Sequence, residues 1–361
     1  MTRFPGRLGV QQRVLPNYRV PFFDLLASAC DGGMSLFTGL PRPSEGITTT
    51  DQLQVANYHP GQNIHLFSDT LYLCYQRGLI NWLESWNPDA LVVEANPRYL
   101  STPSAVRWMH KQNKPVIGWG LGSPPVSGLR RQRRLSFIST FDALISYSQR
   151  GADEYAALGF PRGRIFVAHN SVSVLPAFPL PPRPPTFNVR PAILFVGRLQ
   201  ARKRIDLLLL ACAQLEPNPR LVIVGDGPER SSLEALAKDI YPGAEFIGAR
   251  YGTELAPYFM GADLFVLPGT GGLAIQEAMS YGLPVIVAQG DGTQDDLVRK
   301  ENGWQVPPDD FEALVSTMKD ALSDVARLRK RGEESYRIVM EEINIEKMVE
   351  TFVAALHRLN H

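Results

Sequence analysis

The sequence is short of several things, and each shortage narrows what it can be. It holds only 3 cysteines in 361 residues, Cys30, Cys74 and Cys212, too few and too widely spaced for a disulfide framework or a zinc spacing. A reducing cytoplasm is the expected compartment. Its charges almost cancel, 37 Lys and Arg against 36 Asp and Glu, and a net charge of +1 argues against a surface built for nucleic acid. No run of about 18 apolar residues occurs, so no transmembrane helix is expected. The opening MTRFPGRLGVQQ lacks the apolar centre of a secretory signal. His59 and His65 have no clear third ligand, so both read as solvated and no metal site is expected.

What is present is the balance of a globular protein, 44% hydrophobic and 20% charged, in a chain long enough for two domains. Its organising stretch is 264–288, LFVLPGTGGLAIQEAMSYGLPVIVA. Leu264 to Leu267 predict a buried parallel strand, Pro268 to Gly272 a tight turn, and Ala274 to Tyr281 a short helix. Gly282 suits a C-terminal cap, Pro284 forbids continuation, and Val285 to Val287 begin another strand. A glycine turn feeding a helix can present N–H groups to an anion, and on spacing alone an ordinary βαβ corner remains equally open. Upstream, the strand Ile193 to Val196 runs into Gly197 and Arg198, with Lys203 opening a helical pattern. Two cations beyond the carboxyl end of a parallel strand lie where open α/β sheets bind ligands.

Five segments in order, VGRLQARKRIDLLL, LVIVGDGPE, a helix ending in GADLFVLP, GLAIQEAMSYGLPVIVA and ENGWQVPPDD, resemble family-four glycosyltransferases. The resemblance is strong over 192–310 and thinner over the first half. It implies a retaining, nucleotide-sugar-dependent enzyme of the GT-B fold, with two Rossmann-like doubly wound parallel-sheet domains facing a cleft. Residues 1–175 would form the acceptor-side domain, 176–191 a proline-rich linker, and 192–343 the donor domain, with 344–361 returning to the first. That linker, PAFPLPPRPPTFNVRP, reads as a stiff connector. The last helix carries Met348, Val349, Phe352, Val353, Leu356 and Leu359 near one face, a packing stripe.

The resemblance also implies roles. Arg198 and Lys203 would meet the donor diphosphate, one as a planar fork and the other as a point charge. Glu277 would accept from ribose hydroxyls. Gly248 to Tyr251, with Arg250 and Tyr251, would contact the base. Gly197 and the turn Gly269, Thr270, Gly271, Gly272 and Leu273 would supply backbone donors. The chain departs from the family at Gly269, where the first of two glutamates separated by seven residues usually stands. That acid commonly contacts the donor sugar, and Gly269 is expected to let the sugar approach closely instead. The alternative is a degenerate GT-B protein that binds a nucleotide or a partner without turnover. Leu121, near a position where relatives often carry histidine, points the same way.

No Asp-x-Asp pair occurs, so a metal-bridged diphosphate is not expected; cations and backbone dipoles must meet the leaving charge. In a retaining reaction the departing phosphate oxygen can take the acceptor proton, which fits the lack of an obvious base. No cofactor is expected beyond the nucleotide-diphosphate sugar as co-substrate. The acceptor would be a glycan, a lipid-linked sugar or a small hydroxyl compound, in polysaccharide or glycolipid synthesis.

Glu94, at the end of the run Ala90 to Val93, is the best acid on the acceptor side, and a cap or turn role stands beside it. A strand from Pro115 to Gly118 is expected to end in Trp119, a second acceptor-side candidate, and Asn170 closes the last strand of this half. Asn17, Tyr18 and Arg19 follow the first strand, Leu8 to Val14, and a helix starts around Pro21. Residues 41–65 predict a long surface excursion. SGLRRQRRLSFIST, with Arg130, Arg131, Arg133 and Arg134, suits a solvated helix face, attraction of a phosphorylated acceptor, or peripheral contact with anionic lipid at the inner face of a membrane. GDGPER starts like a dinucleotide fingerprint, and Glu245 falls at the right distance for it. Arg230, however, stands where that pattern needs a third glycine.

Overall fold

Buried apolar runs of four and five residues, too short for helices and bounded by glycine or polar residues, set the architecture. The computed structural model describes residues 2–67, 71–290 and 292–359. They divide into two compact units, Met1–Val174 with Ile345–His361, and Leu175–Asn344.

Unit 1 runs β1 (Leu8–Gln11), α1 (Val20–Ser28), β2 (Met34–Thr38), β3 (Asn57–Pro60), β4 (Gln62–Leu66), β5 (Leu73–Arg77) and α2 (Leu79–Trp86). It continues with β6 (Ala90–Glu94), α3 (Thr102–His110), β7 (Val116–Gly120), α4 (Gly128–Ile138), β8 (Ala143–Ser146), α5 (Gln149–Leu158) and β9 (Ile165–Val167). Its main sheet is parallel, in the order β3-β2-β1-β6-β7-β8-β9, while β4 and β5 pair antiparallel as a separate hairpin. Two expectations need correction here. Within the expected excursion of 41–65, residues 57–60 and 62–65 are strand: β3 pairs with β2, with His59 stacked on Phe37 at 5.8 Å. Trp119 lies inside β7 rather than after it.

Unit 2 runs β10 (Ala192–Val196), α6 (Ile205–Ala213), β11 (Arg220–Val224), α7 (Arg230–Ile240), β12 (Glu245–Gly248), α8 (Ala256–Gly261) and β13 (Leu264–Leu267). Then come α9 (Ala274–Ser280), β14 (Val285–Ala288), α10 (Thr293–Leu297), β15 (Gly303–Val306), α11 (Phe311–Ser323) and α12 (Val325–Glu341). The sheet is again parallel, in the order β12-β11-β10-β13-β14-β15. Asp310 and Asp324 cap α11 and α12 by accepting from Ala313 N at 2.9 Å and Arg327 N at 3.0 Å. Gly282 ends α9 at φ +68°, a left-handed conformation that a side chain would strain.

The segment 176–191 has no helix or strand, and it packs within unit 2 rather than standing as a free connector. Arg183 donates to Phe259 O at 3.0 Å and Tyr281 O at 2.9 Å, and also to Ala262 O. Burial and neighbouring Arg329 pull that guanidinium down to about 10. The last helix, α13 (Ile345–Leu359), belongs to unit 1, where Met348, Val349, Phe352, Val353 and Leu356 are buried. Leu359, named with them above, is half-buried against the same core. Each fully buried large side chain contributes about 1.5–3 kcal/mol.

Candidate functional site

In a parallel sheet every strand ends at one edge, so all the following loops gather there. In unit 2 the strand order reverses between β10 and β13, since β11 and β12 lie to one side and β14 and β15 to the other. Such a switch point opens a crevice between the two loops that flank it. Those loops are Gly197 to Arg204 and Pro268 to Leu273, which carry the residues singled out above.

The two loops are joined through backbone. Lys203 is only 6% exposed, and its Nζ donates to Thr270 O at 2.8 Å and to Gly271 O at 2.5 Å. Thr270 N donates in turn to Arg202 O at 3.0 Å. Burial, then the charge of Arg202, lowers the Lys203 ammonium to about 8. Lys203 therefore fixes the turn first, and two of its three donors are spent on carbonyls. Arg198 is exposed at the end of β10.

Gly269 overturns the reason given for it from sequence. A Cβ there would lie 2.5 Å from Lys203 Cα and closer still to the Arg202 carbonyl oxygen. The space beside Gly269 is filled by the 202–203 backbone, not left for a sugar. The GDGPE loop after β11 follows the same logic. Cβ atoms at Gly225 and Gly227 would strike the carbonyl oxygens of Gly197 and Leu199. Leu199 N donates to Asp226 O at 2.9 Å, and Glu229 N to Leu199 O at 3.2 Å. These glycines bring loops together rather than cradle a dinucleotide. Glu245 opens β12 at the opposite edge of the sheet and is held by Arg220 at 2.7 and 2.8 Å.

Glu277 stands one turn into α9, half-buried, and its carboxylate has no hydrogen-bond or ion-pair partner among the described residues. Burial pushes its carboxyl up to about 7. Leu273 precedes α9 as its N-terminal flank, and Gly271 and Gly272 complete the turn. After β12, Tyr251 is 77% exposed, and Arg250 donates back to Ala249 O at 2.8 Å.

Unit 1 gathers its own edge. Glu94 ends β6 and accepts from Arg13 N at 2.6 Å, while the Arg13 guanidinium bonds Glu45 at 2.8 Å. Burial, against the pull of Arg13, raises the Glu94 carboxyl to about 7. It lines a pocket of about 420 Å³ walled also by Arg98, Tyr99, Trp119, Leu121, Arg134 and Tyr155. Trp119 reaches that wall from the core: it is 1% exposed, with Phe352 and Tyr147 rings each 5.0 Å away. Packing is its main role, which corrects its reading as a residue beyond the strand. Asn170 accepts from Arg19, whose other nitrogen donates to Ser171 O at 3.3 Å. Neither Asn170 nor Arg19 lines the Glu94 pocket, but Arg19 lies 5.6 Å from the ring of Trp119 and 5.8 Å from that of Tyr147, which both do. Tyr18 is exposed beside Arg19, which sits 5.8 Å from its ring. His65 bonds Tyr72 Oη at 2.9 Å, and no group of three His, Cys, Asp or Glu converges on a metal position among the described residues. Arg13 and Tyr99 were missed from sequence, and Arg134 was singled out there only as part of a basic helix. The available signal was positional, since Arg13 follows the end of β1 on this same edge.

Residues 190–324 match the family described as glycosyl transferases group 1. A GDP-mannose-dependent alpha-mannosyltransferase of Mycobacterium tuberculosis is 37% identical over 145 residues, 39% of this chain and 36% of that protein. A sulfoquinovosyl transferase of Arabidopsis thaliana is 34% identical over 141 residues, 37% of this chain and 27% of that protein. The chain thus spans about a third of the length of these curated relatives. Among solved structures, a lipopolysaccharide outer core galactosyltransferase in apo form aligns over 98% of this chain and 99% of its own, with TM-score 0.70 and 16% identity. An Anabaena protein, Alr3699/HepE in complex with UDP, aligns over 99% of this chain and 100% of its own, with TM-score 0.71 and 15% identity. The chain has the GT-B fold along its length, and its residues 190–324 are similar to the glycosyl transferases group 1.

Proposed function

We propose that this chain transfers a hexosyl group from a nucleotide-diphosphate sugar to a hydroxyl acceptor, with retention at the anomeric carbon and without a metal. One observation carries the reading. The cation loop and the glycine turn are bonded together at the switch point of a parallel sheet, with the unpartnered Glu277 carboxylate one turn into the helix behind. Arg198 and the remaining Lys203 donor would take the diphosphate, Glu277 the ribose hydroxyls, and the loop of Arg250 and Tyr251 the base. Acceptor recognition would fall to unit 1 at Glu94. The degenerate reading rests on Gly269 and Leu121, and the packing found at Gly269 weakens the first of these supports, because that glycine has a structural task.

A donor panel read by nucleotide diphosphate release, with and without acceptors, tests the proposal. A relative dependent on GDP-mannose and a neighbour bound to UDP put guanine and uracil donors first on that panel. Release from one donor, undiminished by a chelator, is the expected result. Silence across the panel despite nucleotide binding would favour the degenerate protein, and loss to chelator with rescue by magnesium would contradict the metal-free site.

Glu277 gives a pH signature. Ribose hydroxyls donate to the ionised form, whereas the free protein holds this carboxyl protonated below about 7. Nucleotide binding should therefore weaken about tenfold from pH 8 to pH 6 through this group. Glu277→Gln should bind less tightly at pH 8 and lose that slope, leaving only the nucleotide's own phosphate titration. Calorimetry across this range decides it, and equal slopes in both proteins would remove Glu277 from the ribose. For folding the sign is reversed. The folded carboxyl is raised above its ordinary 4.5, so its stabilising contribution is full below that value and is lost as pH rises through about 7.

A further inference from the structure

The β4–β5 hairpin is patterned inside out. Its inward positions are polar or small: Asn63 donates to Arg13 O at 2.7 Å, and Gln76 donates to Asn63 Oδ1 at 2.9 Å and Gln12 O at 3.1 Å. Three of its outward positions are apolar, with Ile64, Leu66 and Tyr75 exposed at 37%, 36% and 44%, and Ile64 lies directly across from Tyr75; the outward pair farthest from the turn, Gln62 and Arg77, is polar and exposed. A strand pair on a water-facing surface has the opposite alternation, and a one-residue change of register would restore it. Polar bonds hold the present register, so the apolar face stays outward. An exposed apolar face of this kind marks a contact with something apolar.

A second, separate feature borders the same pocket. Helix α4, GLRRQRRLSFI, contains no acid. Arg131 and Arg134 are tied down, donating to Leu158 O at 2.9 Å and Pro124 O at 2.7 Å. Arg130 and Arg133 are exposed, with no partner among the described residues, and Leu129 beside them is 72% exposed. The hairpin reaches the Glu94 pocket through Cys74, which donates to Arg98 O at 3.0 Å and accepts from Leu100 N at 2.9 Å. Arg98 and Tyr99 line that pocket, as does Arg134 of α4. Apolar strand face, unpaired arginines and pocket thus form one neighbourhood of unit 1.

We infer that this neighbourhood lies on an anionic bilayer, and that the acceptor enters the Glu94 pocket from it as an amphipathic molecule with a hydroxyl-bearing head group. The acceptor part rests on the transferase reading above; the docking part does not. A bilayer supplies both things the surface asks for, an apolar layer for Ile64, Leu66 and Tyr75 and negative charge for Arg130 and Arg133.

Co-sedimentation with vesicles of phosphatidylcholine alone, or with phosphatidylglycerol added, tests the docking with no donor present. The wild-type chain should bind the anionic vesicles and scarcely the neutral ones. The double variant Arg130→Ser, Arg133→Ser should lose about thirtyfold on anionic vesicles, from two surface arginines. Ile64→Ser with Leu66→Ser should lose roughly tenfold or more. Both variants change exposed side chains, and an unaltered unfolding temperature confirms the fold. Equal binding to both vesicle types, no binding at all, or variants that bind like wild type each overturn the inference. So does a dimer, without vesicles, that the hairpin variant dissolves, because the face then belongs to a second copy. Vesicle binding without nucleotide release from any donor would sink the transferase reading and leave the docking intact. If docking holds, turnover of a lipid-borne acceptor should fall in both variants while turnover of a soluble acceptor does not.

Discussion

Gly269→Ala will disable the donor site about as thoroughly as Gly269→Glu. A methyl group at 269 has nowhere to go, since the Arg202 carbonyl and Lys203 Cα occupy its place. Both neighbours are backbone and cannot turn aside as a flexible side chain would. The turn must lift off the 202–203 segment, breaking the bond from Thr270 N to Arg202 O and pulling its carbonyls away from Lys203. Overpacking of this sort costs about 1–3 kcal/mol. Unfolding temperature and nucleotide affinity should therefore fall together in both variants, with the glutamate adding a charge near the diphosphate. Calorimetry and thermal melts on the pair provide the check. A glutamate variant that gains turnover, while the alanine variant does not, would mean that Gly269 is a decayed acid and that this packing account is wrong.

Lys203→Met should have an effect of similar size by a different route. The thioether matches the aliphatic stem but donates nothing, so Thr270 O and Gly271 O lose the donor they share. A buried carbonyl left unpaired costs about 1–3 kcal/mol, and a charged donor is lost as well. Turnover should fall on the order of a hundredfold, and Lys203→Arg should recover only part because its fork differs from a point donor. The wild-type ammonium, lowered to about 8 from an ordinary 10.5, gives a further readout. Its contribution to stability is complete above the ordinary value and is lost as pH falls through about 8. The stability difference between wild type and Lys203→Met should shift by that sign across this interval. If donor binding and turnover survive in the methionine variant, the lysine is not needed to hold the turn.

The donor half was legible because its elements are short apolar runs punctuated by glycine and proline. Leu264–Leu267 was read to the residue, and Gly282 was placed as a helix stop for the reason the structure shows. The purpose of Gly269 was not legible. Sequence shows that a glycine stands there but not which backbone crosses beside it, and the crossing segment lies more than sixty residues earlier. Trp119 was misplaced because a tryptophan after four small or apolar residues reads equally well as strand end or strand interior. The strands at 57–60 and 62–65 were lost in a stretch rich in proline, glycine and asparagine, where composition outvoted a weak alternation. The inverted hairpin explains the weakness. A pattern with apolar residues outward and polar ones inward carries no signature that a core-facing strand would show, and only tertiary contacts reveal which face is which.

The three cysteines also matter at the bench. Cys30, Cys74 and Cys212 are all buried, and burial raises each thiol, that of Cys30 to about 12. Thiolate is the reactive form, so maleimide dyes should leave the native chain unlabelled near neutral pH. A single Leu66→Cys or Leu129→Cys replacement then becomes the one addressable thiol, on the hairpin or on the arginine helix. An environment-sensitive fluorophore attached there would shift blue as that position enters hydrocarbon. The chain arrives, in effect, with its background already silent, ready to report residue by residue how deeply each edge of the pocket sinks into a lipid surface.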